Sequence, residues 1–399
     1  MNGSEQKLPK GWRWARLGEV CHFINGDAYK ESDWRTEGVP IIRIQNLNDK
    51  DKPFNYWSGT LGDRVCVNNG DLLLAWSGTP GTSFGAHIWE RGPGVLNQHI
   101  FLVQTSEVLE KVWARWAINE ALDELIKVAH GAVGLAHVTK REVEALAIPL
   151  PPLSEQRRIA GALKDQMTVV EKARAAAEAR LEAVKALPAA LLHEAFSHER
   201  TKQWRVTTVN NISSLIIDGP HVTPSYVTQG IPFVTVRNIQ SGRINFDNLS
   251  YISEEDHRQF SRRGKAEKGD ILYTKDGTLG IPCVVDTDVE FSFFVSVALI
   301  KLRCEVVDPE FIAYAMKSRN VLQQVKRLGS GAGLKHMVLK SIRALEIPCP
   351  ALDEQQHIVA EIHKQMSLVE IARTASEWEL KTINALPAAL LRRAFGGGL

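Results

Sequence analysis

The alternation of apolar and polar residues predicts two halves of the same design, each a strand-rich segment followed by a long helix. In the first half, runs of β-branched and leucine residues over 39–46 and 70–74 end in polar residues and glycine turns. Runs of this kind are typical of short strands in a compact sheet. The second half repeats both runs, over 231–238 and 269–273.

Each half continues with one more predicted strand and then a helix. Apolar runs over 97–104 and 293–302 indicate the strands, and helical periodicity over 108–128 and 309–328 indicates the helices. Sheet and helix are therefore both expected in each domain.

Heptad spacing marks the long helix of each half. Apolar side chains repeat at heptad positions between Leu163 and Val184, and the spacing returns between Ile362 and Ile383. One such helix alone would expose an apolar stripe. We therefore expect the two long helices to pack antiparallel, as an intramolecular coiled coil.

Local residues predict how these helices begin and where they are disturbed. Ser154 and Asp353 follow a proline-rich hinge and are expected to be N-caps. A proline inside a helix removes a backbone hydrogen bond, so Pro188 and Pro387 are expected to bend or restart the helices.

The two halves form a tandem repeat. Residues 148–156 recur as 347–355 and residues 187–192 as 386–391, both at an offset of 199 residues. A repeat this long is a whole domain plus an element. The predicted fold class is α+β, with two similar globular domains of mixed sheet and helix, separated by the two long helices in a pseudo-twofold arrangement. The predicted segments are a first domain at 1–150, a first spacer helix at 151–200, a second domain at 201–349 and a second spacer helix at 350–399.

Composition restricts the class of protein only loosely. The 399 residues carry a net charge of +2, with the second globular segment the more basic one. Five scattered cysteines without CxxC spacing are expected in a reducing cytoplasm, with neither disulfides nor a zinc site. No apolar run is long enough to predict a membrane span, and residues 1–14 do not resemble a signal peptide.

Catalytic motifs are missing from the sequence. It contains no GxxxxGK[ST], no GxSxG, no HExxH and no Asn/Asp-Pro-Pro-Tyr/Phe stretch. The glycine-rich stretch 329–333 does not follow a predicted strand, so it is better explained as a loop. We therefore expect no catalytic residue, no metal site and no bound cofactor.

Taken in order, these motifs resemble the DNA specificity subunit of type I restriction–modification systems. The resemblance covers essentially the whole chain. It rests on the following stretches: Leu8-Pro9 with Gly11-Trp12, 70–73, 131–137, 150–156, 269–272, 329–336 and 348–355.

This resemblance implies a non-catalytic subunit that recognises double-stranded DNA. Each globular domain would read one half of a bipartite site, and the helices would space the domains and dock two methyltransferase subunits. Restriction–translocase subunits would join through the methyltransferases. S-adenosylmethionine, ATP and Mg²⁺ would be bound by those partners and not by this chain.

Candidate DNA contacts follow from the side chains that read bases, since Arg and Lys pair with guanine and Asn and Gln with adenine. The polar ends of the early strands supply one set, although Asn46 and Asn238 could equally form turns. These residues are Arg43, Gln45, Asn46, Asn48, Arg237, Asn238, Gln240 and Arg243.

Three further groups complete the candidate set. The glycine turns offer Trp76, Ser77, Thr79, Lys275 and Thr278 at expected exposed tips, where ordinary hairpin turns are the alternative. The loop before each hinge offers His137, Lys140, Lys335, His336 and Lys340 for phosphates, with helix capping as the alternative. A basic run offers Arg262, Arg263 and Lys265, with a solvated surface as the alternative.

Two other function classes stay open on sequence alone. The weak net charge fits a coiled-coil scaffold with two protein- or peptide-binding domains. A stand-alone nuclease or methyltransferase is the more remote alternative.

Overall fold

The computed structural model describes residues 8–62, 64–78, 84–129, 136–329 and 336–399. The chain is divided into two compact units. Unit 1 contains Met1–Ala177 and Glu379–Leu399, and unit 2 contains Glu178–Trp378. Each unit therefore holds one globular segment, the beginning of the long helix that follows it, and the end of the other long helix.

Unit 1 contains short strands and helices before its long helix. The helices are α1 (Leu17–Val20), α2 (Ile44–Asn48), α3 (Lys111–Ala129), α4 (Lys140–Ala145) and the start of α5 (Leu153–Ala195). The strands are β1 (Arg13–Arg16), β2 (Cys21–Asn25), β3 (Val39–Ile42), β4 (Asn55–Trp57), β5 (Cys66–Val67), β6 (Leu72–Ala75), β7 (Ser77–Gly78), β8 (Gly85–Ile88), β9 (Gly94–Leu96), β10 (Ile100–Thr105), β11 (Ala136–His137) and β12 (Ala147–Leu150).

Two main sheets build the globular part of unit 1. The first is antiparallel in the order β2–β10–β6–β8, and the second is mixed in the order β4–β3–β9–β5, with β3 and β9 parallel. β6 is buried along its whole length, as expected of an inner strand. The pair β1–β12 ties the start of the domain to the hinge before α5.

Unit 2 repeats this plan. Its helices are α6 (His198–Thr201), α7 (Val236–Ile239), α8 (Glu254–Phe260), α9 (Pro309–Met316), α10 (Arg319–Leu328), α11 (Leu339–Arg343) and the start of α12 (Leu352–Phe395). Its strands are β13 (Arg205–Thr208), β14 (Ser213–Asp218), β15 (Tyr226–Val227), β16 (Ile231–Val234), β17 (Ser250–Ile252), β18 (Ile271–Thr274), β19 (Pro282–Val284), β20 (Ser292–Phe293), β21 (Val297–Leu302) and β22 (Glu346–Cys349).

The antiparallel sheets of the two units match strand for strand, whereas the mixed sheets share three strands and differ at their edges. The order β14–β21–β18–β19 corresponds to β2–β10–β6–β8, and the mixed sheet β15–β17–β16–β20 again contains a parallel pair, β16 and β20. The β13–β22 pair corresponds to β1–β12. The predicted α+β class, with two related domains on long helices, is confirmed.

The long helices begin one residue earlier than predicted, and of the two effects predicted for their prolines, a bend or a restart, the restart does not occur. α5 and α12 begin at Leu153 and Leu352, one residue before the predicted N-caps Ser154 and Asp353, which therefore lie in the first turn. Both helices continue through Pro188 and Pro387, so neither proline restarts its helix.

Within each unit the beginning of one long helix packs with the end of the other. In unit 1, Ile159 and Leu163 of α5 share a buried cluster with Ala394 of α12. In unit 2, Ile358 and Ile362 of α12 share a cluster with Ala195 of α5, among others. The helix segments inside each unit are therefore antiparallel, as expected.

A buried glutamine fixes the start of each long helix. Gln156 is fully buried; its Oε1 accepts from the Glu110 amide at 2.8 Å, and its Nε2 donates to the Val108 and Pro151 carbonyls, both at 2.8 Å. Gln355 makes the equivalent bonds in unit 2, for example from the Asp308 amide at 2.9 Å. These side chains satisfy backbone groups that would otherwise be buried without partners.

The single helix predicted over 309–328 is wrong, because the structure forms α9 and α10 instead. The Ser318 side chain accepts from the Val321 amide and caps α10, which starts a new helix after Lys317. A serine favours such a cap over a helix interior.

Candidate nucleic-acid interface

Three strand ends converge on one short segment in unit 1. The Asn97 amide donates to the Ile42 carbonyl at 3.0 Å, which places the end of β3 beside it. The Trp76 amide, just after β6, donates to the His99 carbonyl at 3.3 Å. The Gly26 amide, just after β2, donates to the Ile100 carbonyl at 3.0 Å. The side chains that follow three separate strands are thereby gathered at one end of the domain.

The same bonds recur in unit 2. The Phe294 amide donates to the Val234 carbonyl at 2.9 Å, and the Lys275 amide donates to the Ser296 carbonyl at 3.0 Å. The Gly219 amide donates to the Val297 carbonyl at 3.4 Å. We call these two places the exit sites of units 1 and 2.

A fourth segment reaches each exit site from the loop before the hinge. In unit 1, β7 pairs with β11, with Ser77 opposite His137. In unit 2, Asp276 and His336 form the equivalent antiparallel bridge. The glycine turn and the pre-hinge loop, which sequence analysis treated as separate candidates, therefore meet.

The candidates after β3 have unequal roles. The Arg43 guanidinium lies 4.5 Å from the centre of the Trp34 ring, and its Nη1 donates to Asn55 Oδ1 at 3.1 Å. Gln45 is half-buried and Asn48 is exposed. Arg43, Gln45 and Asn48 thus remain within reach of a ligand.

Asn46 is buried and engaged within its own turn, so its role as a base contact stays a prediction and the turn-forming alternative is favoured. Asn46 is 2% exposed, and its Oδ1 accepts from the Arg43 amide at 3.1 Å. Its Nδ2 lies 3.2 Å from both the Lys52 and Pro53 carbonyls. The side chain is fully used in holding the turn, as the alternative interpretation proposed.

The other candidate residues of unit 1 differ in how exposed they are and in which groups of the protein they contact. Trp76 is half-buried, with its ring 5.3 Å from that of His99 and 5.8 Å from that of Phe101, so it is not an exposed tip. Ser77 is half-buried beside it. Lys140 Nζ donates to the Phe23 carbonyl at 2.8 Å. Thr79 lies outside the described residues, and for His137 only the backbone position is described.

The candidates after β16 in unit 2 are mostly accessible. Arg237, Gln240 and Arg243 are exposed. Asn238 Oδ1 instead accepts from the Thr235 amide and hydroxyl, both at 2.9 Å, and so holds the start of α7. Burial and the neighbouring Arg243 guanidinium lower the pKa of Lys317. Arg243 therefore lies close enough to Lys317, at the end of α9, to disfavour its charged form.

Lys275 was expected at an exposed tip, and this prediction is wrong. Its side chain is 3% exposed, with Nζ 3.4 Å from Asp276 Oδ2 and 3.8 Å from Asp218 Oδ2. A buried ammonium requires such compensation, because desolvation of an unpaired charge is costly. Thr278, three residues further on, is exposed.

Of the remaining basic candidates, Arg263 contacts this site directly. Arg263 Nη1 lies 3.6 Å from Asp218 Oδ1, and the Lys265 ammonium is paired with Glu290. Arg262 and Lys340 are exposed. Lys335 lies outside the described residues.

Sequence reasoning missed two residues of the unit 2 exit site. Asp218 ends β14, and His221 follows it, with its Nε2 3.2 Å from Asp218 Oδ2. A signal that could have found them is the repeat itself. Gly26 and Gly219 occupy corresponding positions: Gly26 follows β2, which pairs with β10, and Gly219 follows β14, which pairs with β21. Proximity across the sheet, however, is invisible in a linear pattern.

In the part of the chain that the structure describes, no group of three or more histidine, cysteine or carboxylate side chains is placed to hold a metal ion. Within the same residues, no helix combines the length and apolarity needed to cross a bilayer.

Comparison with known families gives one domain model that matches most of the chain. The model describes a type I restriction modification DNA specificity domain, and it matches residues 9–177 and 225–379. The two matched stretches correspond to the two halves of the tandem repeat.

Similar proteins of known class cover nearly the whole length. The type I restriction enzyme EcoBI specificity subunit of Escherichia coli is 26% identical over 97% of this chain and 86% of its own length. The MjaVIII specificity subunit of Methanocaldococcus jannaschii is 22% identical over 93% of this chain and 90% of its own.

Solved structures share the fold. A chain from a study of complex assembly and conformational transition in the type I R-M system has a TM-score of 0.76 at 21% identity, covering 99% of this chain and 100% of its own. The HsdS subunit of Thermoanaerobacter tengcongensis has a TM-score of 0.68 at 21% identity, covering 100% of both chains.

Proposed function

We propose, from the premise that this chain belongs to the type I restriction–modification DNA specificity family, that it is the non-catalytic subunit that recognises DNA in such a complex. Each globular domain reads one half of a bipartite site in double-stranded DNA. The helices space the two domains and dock two methyltransferase subunits, and restriction–translocase subunits join through that core.

One observation carries this proposal, namely that each unit holds the same exit site. In both units three strand ends and the pre-hinge loop are gathered by equivalent backbone hydrogen bonds. Recognition of two separate half-sites requires two such surfaces, whereas one continuous site does not.

The accessible side chains of the exit sites and their surroundings are proposed to contact DNA. In unit 1 they are Arg43, Gln45, Asn48 and Ser77, with Trp76 and Lys140 at the border. His137 is included on the position of its backbone alone. In unit 2 they are Arg237, Gln240, Arg243, Arg262, Arg263, Lys265, Thr278, His336 and Lys340. Thr79 and Lys335 belong to the same loops by sequence.

The domain limits proposed from the sequence (1–150, 151–200, 201–349 and 350–399) assign each exit site to a different domain. We further propose that the chain acts in the cytoplasm, where its DNA and its partner subunits are found. Methyl transfer and cleavage are proposed to belong to the partners, which bring their own cofactors.

Selection from random duplexes tests the function. The chain, purified with its methyltransferase partner, should enrich a sequence made of two specified parts separated by a fixed unspecified gap. Enrichment of one uninterrupted site, or of none, would contradict the proposal. If methyltransferase bound normally while no duplex was preferred, the scaffold alternative would be favoured instead.

A further inference from the structure

The exit site of unit 2 contains a continuous chain of charged and polar side chains. His336 Nδ1 is bonded to Asp276 Oδ1, and the other oxygen of Asp276 lies 3.4 Å from Lys275 Nζ. That ammonium lies 3.8 Å from Asp218 Oδ2, which is 3.2 Å from His221 Nε2. Two imidazole rings are therefore fixed, through two carboxylates, on one buried ammonium.

Exposure divides this chain into an inner and an outer part. The side chains of Lys275 and Asp218 are 3% and 11% exposed, whereas those of His336 and His221 are 45% and 69% exposed. Arg263, which contacts Asp218 Oδ1, is 58% exposed. The carboxylates and the ammonium are covered, and the rings and the guanidinium face outward.

Packing alone does not require this arrangement. The position equivalent to Lys275 in unit 1 is Trp76, which packs against His99 and Phe101 on the same backbone geometry. Replacing a buried ion pair by a well-packed apolar group is often neutral or stabilising. The charged cluster at this point is therefore better explained by the exposed side chains that it positions, namely His336, His221 and Arg263.

We propose that His336 and His221 read base edges of the half-site bound by unit 2, and that Asp276 and Asp218, fixed by Lys275, position their rings. This inference rests on the proposed function. A carboxylate bonded to one ring nitrogen fixes the ring and directs the second nitrogen outward. His336 thus presents Nε2 and His221 presents Nδ1 at fixed positions, which suits directional contacts in the major groove.

A phosphate contact would not need this construction. Phosphates are held by long, mobile Arg and Lys side chains, and such contacts carry no sequence information. Rings held on buried carboxylates are oriented before DNA arrives, so a base pair with the wrong edge pattern would leave the outward nitrogen without a partner. His336 and His221 are therefore assigned to specificity rather than to overall affinity.

Methylome sequencing of cells that carry this chain and its methyltransferase partner tests the assignment. With His336→Ala, discrimination at one base pair of one half-site should fall about tenfold, and with His221→Ala the same should happen at a different base pair of that half-site. Asp276→Asn should relax the position that His336→Ala relaxes, because it releases the same ring.

Two controls are built into the chain. The half-site read by unit 1 should be unchanged in every variant, which shows that the protein is folded and assembled. His363→Ala is the matched variant, since His363 is also exposed and bonded to a carboxylate, with its Nε2 3.0 Å from Glu310 Oε2, but it belongs to α12. Because α12 is also assigned to methyltransferase docking, the readout for this control is the sequence of the methylated sites and not the extent of methylation, and both half-sites should keep their sequence.

The outcomes separate this inference from the proposed function. If the wild-type complex methylated no bipartite sequence, the proposed function would fail. If it methylated one, but both histidine variants kept the same sequence, or lost methylation uniformly at every sequence, the base-reading assignment would be overturned. Loss confined to specified positions of one half-site supports it.

Discussion

The exit sites of the two units have the same backbone and opposite chemistry. In unit 1 the residue after β6 is Trp76, whose ring lies 5.3 Å from that of His99, and in unit 2 the equivalent residue is Lys275, buried beside Asp218 and Asp276. Main-chain hydrogen bonds hold both places, at equivalent positions. The backbone bonds that bring the strand ends together therefore do not depend on which side chains follow the strands, so each domain can present different groups to DNA on the same backbone.

The largest expected effect is loss of the buried cation in unit 2. Lys275→Met removes the ammonium that compensates two carboxylates, one of them 11% exposed. Breaking such a buried pair should lower the unfolding free energy of unit 2 by about 3–5 kcal/mol. Urea denaturation followed by circular dichroism measures the loss.

The paired variant in unit 1 is Trp76→Leu, which trims a half-buried ring without removing a charge. It should cost about 1–2 kcal/mol, the range for partial loss of a buried aromatic side chain. Equal losses for the two variants would break the contrast between an aromatic and an ionic exit site.

The next effect concerns a feature that the two units share. Gln156→Leu and Gln355→Leu each remove a buried amide that serves three backbone groups. Each change should cost about 3 kcal/mol, because the groups lose partners without regaining water. Differential scanning calorimetry should show similar losses, whereas the exposed Gln240→Leu should change little.

Acid should affect the two units unequally. Burial, and secondly the Arg115 guanidinium, lower the pKa of His87 on β8 to about 4. As pH falls, the imidazole of His87 is therefore protonated in the unfolded chain before it is protonated in the folded one. The folding stability that the neutral ring contributes is fully present above the unfolded pKa near 6.5 and is lost as pH falls toward 4.

The expected size of this acid effect is up to about 3 kcal/mol in unit 1. His87→Gln should flatten the pH dependence of urea denaturation between pH 7 and 4. A profile with the same slope in wild type and variant would exclude His87 as its source.

The smallest effect separates two arginines that follow corresponding strands, Arg43 after β3 and Arg237 after β16. Arg43 lies over Trp34 and bonds Asn55, whereas Arg237 is exposed. Arg43→Gln should cost about 1 kcal/mol of stability and Arg237→Gln almost none. If either contacts a phosphate, its loss should reduce the slope of log affinity against log salt by about 1, as measured by fluorescence anisotropy.

The sequence predicted the repeat, the strands and the long helices because these depend on local periodicity. The runs 39–46 and 231–238 were predicted as strands; their first halves, Val39–Ile42 and Ile231–Val234, form them, whereas the short helices α2 and α7 follow in place of the rest. The break between α9 and α10 was missed because Ser318 caps a helix only once the chain turns there. Residues that act through their neighbours in sequence are accessible to this kind of reasoning.

The candidate site was harder to predict, because its members come together across the sheet. Lys275 was expected to be exposed, but it is buried and forms an ion pair with Asp218, which lies 57 positions earlier in the chain. Asn46 was expected to read bases, but its side-chain amide donates to the Lys52 and Pro53 carbonyls of the following turn. Pairing of charges over such distances depends on strand order, which composition and spacing do not encode.

The division of the long helices between units has a consequence for synthesis on the ribosome. Unit 2 is one uninterrupted stretch, Glu178–Trp378, whereas unit 1 needs Glu379–Leu399 to complete its core, where Ala394 is fully buried. Unit 1 therefore cannot complete its core until Glu379–Leu399 has been translated, which happens after the whole of unit 2. Nascent chains usually mature from the amino end, and here the later-made unit can finish first, leaving an apolar groove of the earlier one open until translation has passed residue 399.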